Sequence, residues 1–116
     1  MSRTTNQPLL VVTAKSAGAL AENTFVRQGM DKATDGDSIV GVCLEATTAS
    51  GQYFPLAVAG VISVVAGANI TINSLIYSDA NGKATSVAVN KPWGIAMEAA
   101  TAGGTVPVLL GFRGTL

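Results

Sequence analysis

Histidine is absent from the 116 residues, which removes the commonest general base and metal ligand. Cysteine occurs once, at Cys43, so no intrachain disulfide forms and a reducing compartment is the simpler expectation. Charge is scarce and balanced: seven basic and seven acidic residues make up 12% of the chain. No net field draws it to nucleic acid or to an anionic membrane. Aromatics are few: Trp93, Tyr53, Tyr77, Phe25, Phe54 and Phe112. The longest apolar stretch, Phe54 to Ala66, is too short to span a bilayer as a helix and contains Pro55 and Gly60. The N-terminus lacks the apolar core of an export signal, since its only such run is Leu9 to Val12.

What is present is small and β-branched. Hydrophobic residues reach 48%, with Ala, Val, Thr and Gly prominent, a composition for closely apposed sheets and not for a deep ligand pocket. So much apolar surface with so little charge predicts that part of it is covered by another protein. The length fits one domain, with a radius of gyration of about 13 Å.

Residues 1–8 are polar, end in Pro8 and read as an extended arm. Short strands are expected over Leu9 to Thr13, Thr24 to Gln28 and Ser38 to Ala46. Ala14 to Asn23 is ambiguous, with at most one short helix near 16–22, because Gly18 interrupts it. From Tyr53 to Val65 the even positions carry large residues and the odd positions mostly small ones, a period of two that predicts a strand bent at Gly60. Ala57 and Ala59, on the small face, are candidate subunit contacts. A further strand pair is expected around Asn73-Ser74, and Asn81-Gly82 predicts a type I′ hairpin with positive φ at both residues. Thr85 to Val89, Gly94 to Glu98 and Val106 to Gly111 complete a series whose spacing suggests a sandwich or barrel.

One hairpin occurs twice. GVCLEATTASG (41–51) aligns with GIAMEAATAGG (94–104), pairing Gly41 with Gly94, Glu45 with Glu98 and Gly51 with Gly104. Each copy runs on into an apolar strand with a proline, Pro55 or Pro107. The repeated unit spans 41–60 and 94–111 within a single β domain, 9–116, with Gly51 and Gly104 as its turn glycines. Two copies make pseudo-symmetry and not a solenoid.

The residues that carry chemistry elsewhere have plainer readings here. Cys43 lies mid-strand between Val42 and Leu44 as a small buried filler. Glu45 and Glu98 imitate a glycosidase carboxylate pair, but both close strands before a turn and read as solvated charges or caps. Asp31, Asp35 and Asp37 surround Gly36 without the spacing of a calcium loop, and read as turn formers. No glycine motif for phosphate follows a strand. No catalytic residue, metal, cofactor, small-molecule substrate, nucleic acid or membrane partner is expected, and the chain reads as a non-enzyme.

The succession VGVCLEATTASGQYFPLAVAGV, ITINSLIYSDANGKAT and WGIAMEAATAGGTVPVLLG resembles the small capsid cement (decoration) proteins of tailed bacteriophages over about residues 9–111. It departs at Asn73-Ser74, where that family commonly has Gly-Asp; Asn tolerates positive φ, so the turn is expected to survive. The resemblance implies an all-β barrel, tulip-like or sandwich domain that forms homotrimers. It also implies a place on the outer surface of a phage head, made in the bacterial host cytoplasm and reinforcing contacts between major capsid subunits. The arm residues Ser2, Arg3, Thr4, Thr5, Asn6, Gln7 and Pro8 are the candidate capsid contacts. The competing readings are another structural or adhesive domain of a phage tail or fibre, against whose binding carbohydrate the scarcity of aromatics counts, and a small regulatory β-barrel module of a bacterial cell.

Overall fold

The computed structural model describes residues 7–34, 39–87 and 92–110. Nine strands follow one another: β1 (Gln7–Lys15), β2 (Phe25–Arg27), β3 (Asp31–Lys32), β4 (Ile39–Cys43), β5 (Tyr53–Val65), β6 (Leu75–Ser78), β7 (Ala84–Thr85), β8 (Gly94–Ala96) and β9 (Thr105–Leu110). All pairings are antiparallel between these strands, and the sheet curls into a half-barrel. Its order is β3-β2-β4-β5-β9-β8-β6-β7, with β1 joined to β5 alone. The radius of gyration is 12.5 Å.

No helix forms over 16–22, or elsewhere among the described residues. Leu20 is instead drawn into the core and exchanges backbone hydrogen bonds with Thr47, at 3.1 and 2.9 Å. Burying Leu20 and pairing its backbone outweighs a short, glycine-interrupted helix that would nucleate poorly.

β5 holds the fold together because it serves two halves of the chain. Its first part pairs with β1 and β4, and its last six residues pair with β9. Between them Gly60 has φ +109°, and the β1–β5 register slips on both sides of Leu10. A left-handed glycine beside such slips marks a bulge that bends the strand. Strict large-in, small-out alternation does not hold along β5. Phe54, Leu56, Ile62 and Val64 are buried, but so are Ala57 and Ser63, because both faces are covered.

The repeated hairpin is one portion of a longer duplication. Cys43 faces Leu56 as Ala96 faces Val108, and Leu44 N–H donates to Pro55 O as Met97 N–H donates to Pro107 O. The duplication also reaches back as far as β1. Leu20 bridges Thr47 as Ile70 bridges Ala100. Asn23, at φ +60°, donates its N–H to Cys43 O; Asn73, at φ +70°, does the same to Ala96 O. Asn73 thus takes the left-handed conformation that the resemblance required of it. β1, β2, β4 and the first part of β5 are matched by the last part of β5, then β6, β8 and β9.

Two turns differ from expectation. Asn81 does not have positive φ; only Gly82 does, at +74°. Asp79 Oδ1 accepts the N–H groups of Asn81 and Lys83 at 2.8 and 2.9 Å, and Gly82 N–H donates to Asp79 O. The hairpin between β6 and β7 is therefore an aspartate-capped turn closed by one left-handed glycine, not a type I′ turn. In the second repeat the left-handed glycine is Gly103 (φ +88°), matching Gly51 (φ +88°), and Gly104 does not have positive φ. The second turn is one residue shorter, so the repeat offset changes within it from 53 to 52.

Two apolar clusters fill the interior. The larger joins Phe25, Ala33, Ile39, Val42 and Ala57 of the first half to Ile62, Val64, Ile76, Trp93, Val106 and Val108 of the second. The smaller gathers Leu20, Val26, Cys43, Phe54 and Leu56.

Candidate interaction surfaces

The residues singled out in the sequence fall in three places. Ser2, Arg3, Thr4, Thr5 and Asn6 lie outside the described residues, whereas Gln7 and Pro8 are the first residues of β1, facing Val61 and Gly60. Proline is tolerated there because β1 has a neighbour on one side only. Ala57 is fully buried between Val11 and Val42 and has no surface left for a subunit contact; Ala59 is half-buried. Gly51, Asn81, Gly82 and Gly104 sit in the turns described above.

Among the described residues, the side chains singled out for chemistry have structural partners or stand apart. Cys43 is buried, its thiol donating to Glu45 O at 2.7 Å. Burial pushes that thiol up from its ordinary pKa, helped by the nearby carboxylates of Glu22 and Glu45 and opposed by its hydrogen bond. It is thus held as an unreactive thiol. Asp31 pairs with Arg27 at 3.4 Å and caps Lys32 N–H; Asp35 and Asp37 lie outside the described residues. Glu45 and Glu98 occupy corresponding loops after β4 and β8. Among the described residues no three metal-ligating side chains come together. A shallow hollow lined by Ala99, Ala100, Thr101, Gly104 and Thr105 offers no acid or base.

What the surface does offer is apolar, in two patches. The first is β1. Leu10, Val11 and Val12 are 52%, 41% and 40% exposed, so the strand shows apolar side chains on both faces as well as an edge that no described strand pairs. Tyr53, opposite Lys15, is also exposed, with Lys15 Nζ 6.0 Å from its ring centre. Such an edge is a template for added strands.

The second patch crosses β6, β8, β9 and β5. Leu75 faces Ile95, Ile95 faces Leu109, and Leu109 faces Val61. Residues directly opposite share a face, so the four form one apolar row. Leu75 is 39% exposed and the other three are half-buried. Met97, two residues beyond Ile95, adds 44% of its surface. Sequence reading missed this row, because its members lie on four strands and only their register brings them together.

Comparison with known proteins places this geometry. A family model described as phage cement protein matches residues 4–111. No curated protein matches the chain. Among solved structures, the N base of the head fiber gp8.5 of bacteriophage phi29 superposes with a TM-score of 0.74 at 14% identity, covering 92% of this chain and 98% of that one. At that identity the likeness is one of fold, and it agrees with the all-β half-barrel.

Proposed function

The chain belongs to the phage cement protein family, and we propose that it binds the outer surface of a phage head as a homotrimer, stabilising contacts between major capsid subunits. Membership makes it a structural phage protein associated with the head; the trimer, the outer surface and the capsid partner are our reading. The observation that carries this reading is β1, which shows Leu10, Val11 and Val12 on an edge that, among the described residues, has one side free. Residues 1–6 precede that strand in the sequence, and in this reading arm and edge bind together. A capsid strand adding to the edge supplies backbone hydrogen bonds, while the three valine and leucine side chains supply buried apolar area. Ordering the arm costs about 1–2 kcal/mol per residue, so a single arm holds weakly. Three arms on one trimer raise binding by about 10²–10⁴-fold without a new contact.

The test is to mix the purified protein with expanded, undecorated heads and image the particles. Regular density on the outer surface, reduced when residues 2–8 are deleted or Val11→Asp is introduced, is the expected result. Bare heads at saturating protein sink the reading, and full occupancy after the deletion moves the contact off the arm.

A further inference from the structure

Asn81–Gly82 closes the turn between β6 and β7, and it also carries chemistry that the turn does not need. Asn81 alone among the asparagines precedes a glycine; the others precede Gln7, Thr24, Ile70, Ser74 and Lys91. Glycine has no Cβ to shield its backbone nitrogen, and Asn81 is exposed to water. We infer that Asn81–Gly82 is a site of spontaneous covalent modification, where water converts the Asn81 amide to a carboxylate, and that Asp79 is the residue restraining it. Hydroxide removes the proton from Gly82 N, whose electron pair attacks Asn81 Cγ. The Cγ–Nδ2 bond breaks, ammonia leaves with a proton from water, and a cyclic imide remains. Water then opens the imide on either side of the ring nitrogen. Cleavage of the bond to Cγ gives aspartate. Cleavage of the bond to the backbone carbon gives isoaspartate, in which the chain runs through the side chain and is longer by a methylene.

The turn holds the reacting atoms back. Gly82 N–H is engaged, donating to Asp79 O at 3.2 Å. Asp79 Oδ1 accepts Asn81 N–H and Lys83 N–H at 2.8 and 2.9 Å, which fixes the backbone on either side of the bond that must rotate. Asp79 is braced in turn: its N–H donates to Lys83 O at 2.9 Å, and its carboxylate lies where a Cβ at Gly67 would stand. Reaction therefore proceeds from the opened turn, at a rate set by how often the turn opens. The damage falls on the junction between the halves. Phe25 N–H donates to Gly82 O at 2.7 Å, and Ala33 N–H to Phe25 O at 3.2 Å. An added methylene ahead of Gly82 shifts the carbonyl that the buried Phe25 uses. Either product also sets a new carboxylate close to that of Asp79, and like charges so near repel.

The test stores the full chain at mildly alkaline pH, below its melting temperature, and follows it by peptide mapping and isoaspartate-specific methyl labelling. Product is expected at Asn81 ahead of every other asparagine, and more slowly in the folded chain than in urea. Asp79→Ala is expected to speed the reaction by about 10-fold or more, the factor that hydrogen bonds to a charged group carry. Asp79→Asn, which keeps an accepting oxygen, is expected to stay near the wild-type rate. Product separated by its added negative charge is expected to melt below fresh protein. Asn81→Ser, which cannot form the imide, is expected to keep its melting temperature through the same storage. Circular dichroism checks folding. Should Asp79→Ala unfold, hydrogen exchange at the Gly82 and Lys83 amides of the wild-type chain gives the opening frequency. Its protection is then expected to match the ratio of unfolded to folded rates, and a mismatch counts against the restraint. Storage that leaves Asn81 intact overturns the inference, as do equal rates in folded and unfolded chains. A folded Asp79→Ala that reacts no faster removes Asp79 from the restraint, as does an Asp79→Asn that reacts as fast as Asp79→Ala. Product that melts like fresh protein overturns the effect on the junction.

Discussion

Phe25–Val42–Ala57 and Leu75–Ile95–Leu109 occupy equivalent places in the two halves of one chain, yet one row is fully buried whereas in the other Leu75 is exposed and Ile95 and Leu109 are half-buried. The backbone pairing that presents them is the same; what differs is the neighbour. The first half turns its row onto the second half's buried side chains, whereas among the described residues the second half's row meets no such cover. A strand pattern therefore fixes which residues share a face, but tertiary context decides whether that face is core.

The largest expected effect tests that contrast directly. Phe25→Ala is expected to cost about 3–5 kcal/mol in urea unfolding, the range for emptying a filled aromatic site. Leu75→Ala, measured where the protein is monomeric, is expected to cost less than about 1 kcal/mol, since much of the side chain is already in water. Equal losses would show that the second row is as enclosed as the first.

A second substitution pair is expected to behave alike and so sharpens the comparison from the other side. A Cβ at Gly41 meets the carbonyl oxygen of Ala57, and a Cβ at Gly94 meets that of Leu109. Both obstacles are backbone within the sheet and cannot swing aside, so Gly41→Ala and Gly94→Ala are each expected to cost about 1–3 kcal/mol. Thermal melts of the two variants that differ widely would mean that the halves are less equivalent than their pairing indicates.

The turns that close β2–β3 and β6–β7 separate the halves again. Gly82 has φ +74° and its Cβ site lies 3.1 Å from Phe25 O, whereas Gly29, at φ +99°, has nothing within 4 Å. A valine at either position is strained by about 1–2 kcal/mol. Gly82→Val also presses on the backbone of the buried row and is expected to lower the melting temperature more than Gly29→Val. The reverse order would place the contact between the halves elsewhere.

Much of this was legible in the sequence. Strand β5 runs over the residues its period of two predicts, and the paired GVCLEA and GIAMEA segments point to corresponding hairpins. The earlier part of the duplication was not legible. SAGALAENTFV and AGANITINSLI share one identity, Asn23 with Asn73, although most corresponding positions have the same burial: Leu20 and Ile70 are both buried, as are Val26 and Ile76. The offset also drifts from 50 to 53 to 52 along the chain, which defeats a search at fixed period. The usable signal was local: an asparagine three residues after a leucine or isoleucine and before Thr or Ser, held at positive φ. Ala57 misled for a related reason. A stripe of small residues shows where backbones approach closely, and here the approaching backbone belongs to the same chain.

The smallest expected effect concerns a buried position where the halves differ in chemistry, Cys43 against Ala96, both fully buried. The native environment holds the Cys43 proton because burial penalises the thiolate, with Glu22 and Glu45 adding to the penalty. The unfolded chain releases it near the ordinary value of about 8.5. Below that pH both states are protonated and the thiol's contribution to stability is fully present. Above it the unfolded state binds fewer protons than the native state, so stability falls with rising pH, by at most about 1.4 kcal/mol per unit, until the native thiol itself ionises. Cys43→Ala, which copies the second repeat, removes this slope and leaves every other titrating group in place. Melting temperatures followed from pH 8 to pH 10, a window of about two units around that ordinary value, are expected to fall more steeply for the wild-type chain than for the variant. Parallel curves would mean that the thiol ionises as readily in the sheet as in water, and that the smaller cluster around Leu56 and Phe54 is open to solvent.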